Sequence, residues 1–238
     1  MDAFTPALLA LSDDVMVVAK PAGLPVFPPH ADADGACVHQ WLAARGDVDV
    51  RAAWPPGFDL GIAHRLDIAT SGQLLVARTV PALVRLRAAF QGRQLDKRYL
   101  FLTLRDPSWD ENRVQHRLAH DRRRKKRMVF ERGRHTPHRG RWLEAETHLE
   151  RAGRGPAGTT RWQARMRTGV MHQIRVHAAS CGVPLAGDRI YGGRPFALNR
   201  PDGVPFCLHH LGVGRVLGAA VPDCPLPAFW EPSGTPLS

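Results

Sequence analysis

Residues 64–72, His-Arg-Leu-Asp-Ile-Ala-Thr-Ser-Gly, concentrate side chains that could do chemistry. A base, a cation, a carboxylate, two hydroxyl groups and a glycine lie between two apolar segments, residues 60–63 and 74–77. Polar loops held between strands are frequent positions for binding and catalytic groups, because the strands fix the loop in place. The carboxylate of Asp67 is therefore the first candidate for a catalytic group.

Two other parts of the sequence are similarly rich in polar side chains. Residues 97–99, Lys-Arg-Tyr, stand directly before an apolar run, and residues 168–177 carry a hydroxyl, two histidines, a glutamine and an arginine. Residues 182–192 follow with an aspartate, an arginine and a tyrosine between glycines. A single aspartate in a sequence is usually a cap, a turn residue or a surface charge, so these additional segments strengthen the case for Asp67.

In their order along the chain, these segments resemble the motifs of the RluA-type pseudouridine synthases. The match extends over about residues 13–212, which is most of the chain. HRLDxxTSG alone is specific enough to indicate the family, whereas KPxG alone would be weak. The matching motifs are KPxG at 20–23, HRLDxxTSG at 64–72, KxY at 97–99, HQIRVH at 172–177, GxPLxGDxxYG at 182–192 and the start of LHA at 208–209.

The resemblance implies isomerisation of uridine to pseudouridine within RNA. The bond from nitrogen to ribose is cut, the uracil turns, and a carbon–carbon bond replaces it, either after attack on the sugar or through a glycal. By the same resemblance Asp67 is the nucleophile, Tyr99 packs against the uracil and helps remove a proton, and Arg175 holds the Asp67 carboxylate. A planar guanidinium suits that last role, since it can bond a carboxylate through two N–H groups. No metal ion or organic cofactor is expected, because the reaction neither changes oxidation state nor adds a group.

Further residues are candidates for contact with RNA. The resemblance places His64 beside the site and lets Arg65 occupy the space of the flipped base, with a structural ion pair as the alternative. Between His116 and Arg141 the sequence holds eleven Lys and Arg residues against two acidic residues, a net charge of +9 of the formal +11. We expect this basic insertion to form a loop or hairpin that contacts RNA phosphates, with a solvated, tail-like loop as the alternative. Its densest run consists of Arg122, Arg123, Arg124, Lys125 and Lys126.

The overall composition of the 238-residue chain narrows the class of partner. Its 33 Lys and Arg residues exceed its 22 Asp and Glu residues, which favours a polyanion such as RNA. A membrane surface is not expected as a partner, because we find neither a basic amphipathic helix nor a long apolar run. The four cysteines show no C-x-x-C spacing and are expected to be reduced thiols of a monomeric, cytoplasmic protein. His172 and His177 lack a third ligand at a suitable spacing, so no metal site is predicted.

The sequence predicts one α+β domain over residues 1–238 with, by resemblance, the pseudouridine synthase fold of a mixed, largely antiparallel sheet flanked by helices and loops. Its core is expected at about 13–212, with the basic insertion at 116–141 and no S4-type RNA-binding domain before it. Short polar turns between close strands favour antiparallel pairing rather than βαβ crossovers. Strand patterns lie at residues 15–19, 60–63, 74–77, 99–104, 143–149 and 162–166.

Two helices are predicted from apolar spacing and from residues that start or stop helices. An apolar i, i+3, i+4 pattern from Val38 predicts a short helix that ends near Gly46. A second amphipathic helix should begin at Pro81 and end at Gly92. The last third of the chain is rich in Gly and Pro and is expected to pack as loops with short strands.

The match to the family is incomplete at two positions. Val170 stands where the family usually has an arginine, and His210 stands where LHA has its alanine. The first departure removes a contact to substrate or backbone that could bear on the choice of RNA target. The family resembled includes specificities for large-subunit ribosomal RNA and for transfer RNA, so both targets stay open. An RNA-binding or ribosome-assembly factor without the reaction is a second hypothesis, which the intact Asp67, Tyr99 and Arg175 count against. A DNA-binding protein is a third, and the lack of a helix-turn-helix or zinc pattern counts against it.

Overall fold

A computed structural model describes residues 5–28, 35–196 and 203–230 of the protein. The helices are α1 (Val38–Arg45), α2 (Val80–Gln91) and α3 (Gln173–Ser180). The strands are β1 (Ala7–Leu11), β2 (Val15–Lys20), β3 (Ser71–Ala77), β4 (Lys97–Thr103), β5 (Glu111–Val114), β6 (Leu118–Asp121), β7 (Met128–Phe130), β8 (His138–Leu143), β9 (Thr147–Arg154), β10 (Thr160–Met166), β11 (Leu208–Gly212), β12 (Arg215–Val216) and β13 (Ala219–Ala220). This combination of helices with parallel and antiparallel strands confirms the predicted α+β class.

The described residues form two compact units. The expectation of a single catalytic domain stays a prediction, because compactness alone does not show that either unit folds by itself. The first unit contains residues 5–28, 35–97, 203–204 and 209–226, and the second contains residues 98–196, 205–208 and 227–230.

In the first unit the strands lie in the order β1-β2-β3-β11. β2 runs antiparallel to both β1 and β3, and β11 runs parallel to β3. Successive side chains of a strand face opposite sides of a sheet, so Val15 and Val17 pack with α2 while Met16 and Val18 pack with α1. The sheet is thus covered on both faces, which is why β2 and β3 are nearly continuous apolar runs.

Residues 60–63 do not form the strand that their apolar side chains predict. They begin in a short 3-10 turn, and Ile62 makes an isolated bridge to β3. Leu60 and Gly61 have positive φ angles of 54° and 70°, which interrupt an extended backbone. A Cβ atom at Gly61 would lie 2.0 Å from a carbonyl oxygen of β3, so the close approach of the two segments needs a glycine.

The second unit contains two sheets. In the first of them β9 lies between β5 and β10 and is antiparallel to both, which confirms the pairing predicted from the short turns. β4 lies on the other side of β10. The predicted strand over 143–149 is divided, because Leu143 ends β8 and Thr147 begins β9. The second sheet, β7-β6-β8, is formed by the basic insertion, with β6 antiparallel to both neighbours.

The helices agree in part with the sequence. α1 and α2 confirm the two predicted helices, and they end at Gly46 and Gly92 as expected. The Thr79 hydroxyl accepts the Ala82 N–H at 3.2 Å and caps the start of α2. Helix α3 is not predicted by the sequence pattern, because its first six residues are all buried and no polar face alternates with an apolar one. Within the described ranges no helix is both long and apolar enough to cross a membrane.

Candidate active site

The loop that carries Asp67 is fixed through its backbone. The Asp67 carbonyl accepts the Thr70 N–H at 3.0 Å. The Ile68 carbonyl accepts the Gly23 N–H at 2.8 Å and the Lys20 ammonium group at 3.2 Å. These bonds do not use the Asp67 side chain, which is half-buried. The backbone of the loop is therefore held by hydrogen bonds in which the carboxylate takes no part.

Lys20 connects the KPxG segment to this loop. Its Nζ also donates to the carbonyls of Pro21 at 2.9 Å and Leu24 at 2.7 Å, and the residue is 1% exposed. Burial lowers the pKa of Lys20 to about 7, and the negative charge of Asp67 opposes that decrease. The sequence analysis matched the KPxG motif without giving its lysine a role, since only the fold brings Lys20 to the Asp67 loop.

The lowered pKa of Lys20 predicts a pH-dependent stability. Between about pH 7 and 10.5 the unfolded chain binds a proton on Lys20 that the folded chain does not, so the free energy of unfolding rises with pH. The rise is at most about 1.4 kcal/mol per pH unit. In Lys20→Met this increment should be absent, whereas the exposed control Lys125→Met should keep it. Urea unfolding at pH 7, 8 and 9 measures the difference, and identical pH dependence in both variants would refute the assignment.

His64 is held inside the first unit. Its Nε2 accepts the Leu75 N–H at 3.0 Å. Its ring centroid lies 4.9 Å from that of Phe90 and 5.8 Å from that of His210, edge-on to the latter. Burial, and secondarily the charge of Lys97, lower the pKa of His64 to about 3, so the ring is neutral. These contacts give His64 a structural role at the start of the loop, and its contact with RNA stays a prediction.

Strand β11 fixes the other end of the loop. The Ser71 hydroxyl donates to His209 Nδ1 at 2.9 Å, because His209 Nε2 donates to the Cys224 carbonyl at 3.1 Å. Gly72 has a φ of 123°, and a Cβ atom there would lie 2.2 Å from the His210 carbonyl oxygen. His210, in place of the alanine of LHA, is fully buried and its Nδ1 donates to a carbonyl of β3 at 2.7 Å. This histidine therefore strengthens the contact between β3 and β11.

Arg65 and Tyr99 are in contrasting environments. Arg65 is exposed beside Asp67 in the first unit, a position suited to contact with a ligand. Tyr99 lies in β4 of the second unit and is 6% exposed. Lys97, which begins β4, is equally buried, and burial lowers its pKa to about 8. The contact of Arg65 with RNA and the catalytic role of Tyr99 stay predictions.

Arg175 is fixed within the second unit by Asp188. The Arg175 Nε donates to Asp188 Oδ2 at 2.6 Å, and Nη2 donates to Oδ1 at 2.9 Å. Both side chains are buried, at 4% and 1% exposure. The guanidinium carbon lies 4.5 Å from the ring centroid of Phe206 and 5.0 Å from that of Tyr191. A guanidinium held in this way keeps its plane and presents its remaining N–H groups in a fixed direction.

Val170, which replaces the arginine usual in the family, belongs to an apolar cluster. It packs with Phe130 and Tyr191 against four buried side chains of the second unit. An apolar residue at this position adds to the packing of the basic insertion against α3. The buried members of the cluster are Leu118, Met128, Ala145 and Val176.

In the part of the chain that the structure describes, no group of three or more His, Cys, Asp or Glu side chains is placed to hold a metal ion. The ring of His177 is engaged on both sides: Nδ1 accepts the Thr147 hydroxyl at 2.9 Å, and Nε2 donates to the His116 carbonyl at 3.2 Å. His172 Nδ1 lies 2.8 Å from the Tyr191 hydroxyl. The four cysteines are free thiols.

The profile of the family described as RNA pseudouridylate synthase matches residues 14–180. The chain belongs to this family. The match covers the Asp67 loop, Tyr99 and Arg175, and it confirms the resemblance drawn from the motifs. Two of the family's motifs lie beyond the matched residues: the segment 182–192 with Asp188 and Tyr191, and the segment 208–209.

Curated relatives are similar over most of this chain. Ribosomal large subunit pseudouridine synthase D of Yersinia pestis is 34% identical over 185 residues, which are 77% of this chain and 51% of that protein. The protein of the same name from Xanthomonas campestris pv. campestris is 35% identical over 191 residues, 80% of this chain and 52% of that protein. The chain thus spans about half the length of the curated relatives it matches.

Two human structures share the fold. RNA pseudouridylate synthase domain containing 1 superposes with a TM-score of 0.72 at 21% identity, over 100% of this chain and 93% of that chain. RNA pseudouridylate synthase domain containing 4 superposes with a TM-score of 0.64 at 22% identity, over 94% and 89%. At these identities the likeness establishes the fold alone, which is the pseudouridine synthase fold that the motifs predicted.

Proposed function

We propose that this chain isomerises uridine to pseudouridine in RNA of the large ribosomal subunit. The observation that carries the proposal is the family match over residues 14–180, which contains an intact Asp67, Tyr99 and Arg175. The substrate class is taken from the relatives named ribosomal large subunit pseudouridine synthase D. An assembly factor that had lost the reaction would have no use for this set of residues.

In this proposal Asp67 is the nucleophile. Its backbone is fixed by Thr70, Gly23 and Lys20, so the carboxylate can be held in one place while a uracil turns. Tyr99 packs against the base and assists removal of its proton, and Arg175 holds the carboxylate. The uridine must leave its stack to reach such a group, at a cost of about a few kcal/mol that is smaller in an unpaired loop.

The basic insertion is proposed as the RNA contact. The five consecutive basic residues 122–126 form the turn between β6 and β7 and are all exposed. The Asp121 carboxylate accepts the N–H groups of Arg123 at 2.8 Å and Arg124 at 3.1 Å, and the first of these bonds is the main reason that the pKa of Asp121 is lowered. Arg139 donates to the Lys125 carbonyl at 3.1 Å. The Asp121 carboxylate and Arg139 thus bond the backbone of the turn, while the side chains of residues 122–126 stay exposed for contact with phosphates.

Neutralising this turn should weaken RNA binding. In the triple variant Arg122→Gln, Arg123→Gln, Arg124→Gln the dissociation constant should rise, and the slope of log affinity against log salt should fall by about 2 to 3. Filter binding at several salt concentrations measures both quantities. The matched control replaces Arg45, Arg51 and Arg85, which are exposed on the first unit, and removes the same charge. An equal loss of affinity in both triple variants would show a general charge effect instead.

The proposed activity can be tested by tritium release. A carbon–carbon bond at carbon 5 of uracil displaces the hydrogen there, so RNA labelled at that carbon loses tritium on isomerisation. Unmodified large-subunit ribosomal RNA and unmodified bulk transfer RNA serve as separate substrates. Release from the ribosomal RNA is expected. Release from transfer RNA alone would reverse the substrate assignment, and release from neither would refute the proposed function.

A further inference from the structure

Tyr191 makes two hydrogen bonds that connect separate elements of the second unit. Its hydroxyl accepts the N–H of Met128, the first residue of β7, at 2.9 Å. The same hydroxyl lies 2.8 Å from Nδ1 of His172, the residue that precedes α3. Burial raises the pKa of Tyr191 to about 12, so the hydroxyl keeps its proton. The Met128 N–H donates to this hydroxyl, whereas the donor in the bond with His172 depends on the tautomer of the imidazole.

The guanidinium groups of two arginines also lie near the ring of Tyr191. The guanidinium carbon of Arg127, at the end of the basic turn, lies 6.0 Å from the ring centroid. The guanidinium carbon of Arg175 lies 5.0 Å from it. Contacts of a guanidinium with an aromatic ring at these distances are attractive. One side chain therefore touches the base of the turn and the arginine that the proposed mechanism uses.

The surrounding packing makes this connection rigid. Met128 and Val176 are buried in one apolar cluster with Tyr191 at its border, so β7 and α3 pack directly on each other. His172 has a φ of 54°, a left-handed conformation that fixes how the chain enters α3. A displacement of β7 is thereby passed to the first turn of α3, where Arg175 lies.

We propose that Tyr191 is a positioning residue that couples occupation of the basic turn by RNA to the placement of Arg175. Phosphates bound at residues 122–126 restrain the turn and β7. The Tyr191 hydroxyl, which bonds both Met128 and His172, then restrains the start of α3. Arg175 is thereby held in its position for the reaction. The inference rests on the proposed function. It follows that the basic turn affects the turnover rate as well as RNA affinity. The effect on the rate depends on the hydrogen bonds of the Tyr191 hydroxyl.

The test is a double-mutant cycle at saturating RNA. Tyr191→Phe keeps the ring and removes both hydrogen bonds, and it should lower the single-turnover rate about tenfold, a usual size for coupling between sites, with affinity little changed. The Arg122, Arg123, Arg124 triple Gln variant should lower the rate by a similar factor. The protein that carries both sets of substitutions should have a single-turnover rate no lower than that of the slower of the two variants. If the fold-reduction in the combined protein equals the product of the two separate fold-reductions, the proposal is overturned.

A second variant and a second readout separate this inference from the proposed function. His172→Asn tolerates the left-handed conformation but is too short to reach Tyr191 in the same way, so it should reproduce Tyr191→Phe. Hydrogen exchange of the α3 amides should slow on addition of a large-subunit ribosomal RNA fragment in the wild type and not in Tyr191→Phe. This readout needs no turnover, so it still tests the coupling if the chain does not isomerise uridine. Equal slowing in both proteins, or none in the wild type, would overturn the coupling.

Discussion

Asp67→Asn should abolish turnover, by more than about a thousandfold, while RNA affinity changes by no more than a few-fold. The amide has nearly the same shape as the carboxylate but neither its charge nor its nucleophilicity. The loop should keep its place, because Ile68 accepts from Gly23 and Lys20, and the Asp67 carbonyl accepts from Thr70, through backbone groups. Tritium release and filter binding measure the two effects in parallel.

The control for this substitution is Asp59→Asn. Asp59 is exposed in the turn just before the same loop, so the change removes an equal charge nearby without touching the proposed chemistry. Its turnover should stay close to that of the wild type. Residual turnover of even a tenth in Asp67→Asn would contradict the assignment of Asp67 as nucleophile.

Arg175→Lys should be severely impaired although it keeps the positive charge. A lysine offers one nitrogen, whereas Arg175 bonds both oxygens of Asp188 and places its guanidinium carbon over the rings of Phe206 and Tyr191. We expect turnover to fall about a hundredfold or more, with a loss of about 1 to 3 kcal/mol in the free energy of unfolding from the under-bonded Asp188 carboxylate. Single-turnover kinetics and urea unfolding measure these effects.

Arg151→Lys is the matched control for that variant. Arg151 likewise bonds two carboxylate oxygens, one of Asp106 and one of Asp110, but both of these aspartates are well exposed. Water can replace the lost bonds, so stability should change by less than about 1 kcal/mol and turnover should be retained. Near-normal turnover in Arg175→Lys would mean that its planar fork has no part in the reaction.

Local signals explain what the sequence predicted well. α1 and α2 end at Gly46 and Gly92, and β2 and β3 are apolar runs with few interruptions, so their patterns need no tertiary information. Helix α3 carries no such signal. Its first six residues are buried, and the Gln173 side chain at its start is held by the Glu146 carbonyl and the Thr147 hydroxyl, which are distant in sequence. Such contacts exist only once the chain has folded.

In the candidate site, too, some features could be predicted from local sequence and others depend on contacts formed only in the folded protein. The motifs predicted Asp67, Tyr99 and Arg175 as candidates, because residue type and order suffice to match a family. They did not predict that Asp188 fixes Arg175 or that Lys20 bonds the Asp67 loop, since both depend on partners distant in sequence. The matched motifs GDxxYG and KPxG were the available signals, and a buried charged residue in a motif needs a partner.

The most direct test of the central claim is nucleoside analysis of large-subunit ribosomal RNA after incubation with the wild type or with Asp67→Ala. Pseudouridine and uridine are isomers of equal mass that separate by chromatography, so a loss of one can be compared with a gain of the other. We expect the wild type to convert uridine to an equal amount of pseudouridine and Asp67→Ala to form none. Equal amounts of pseudouridine from both proteins would contradict the account.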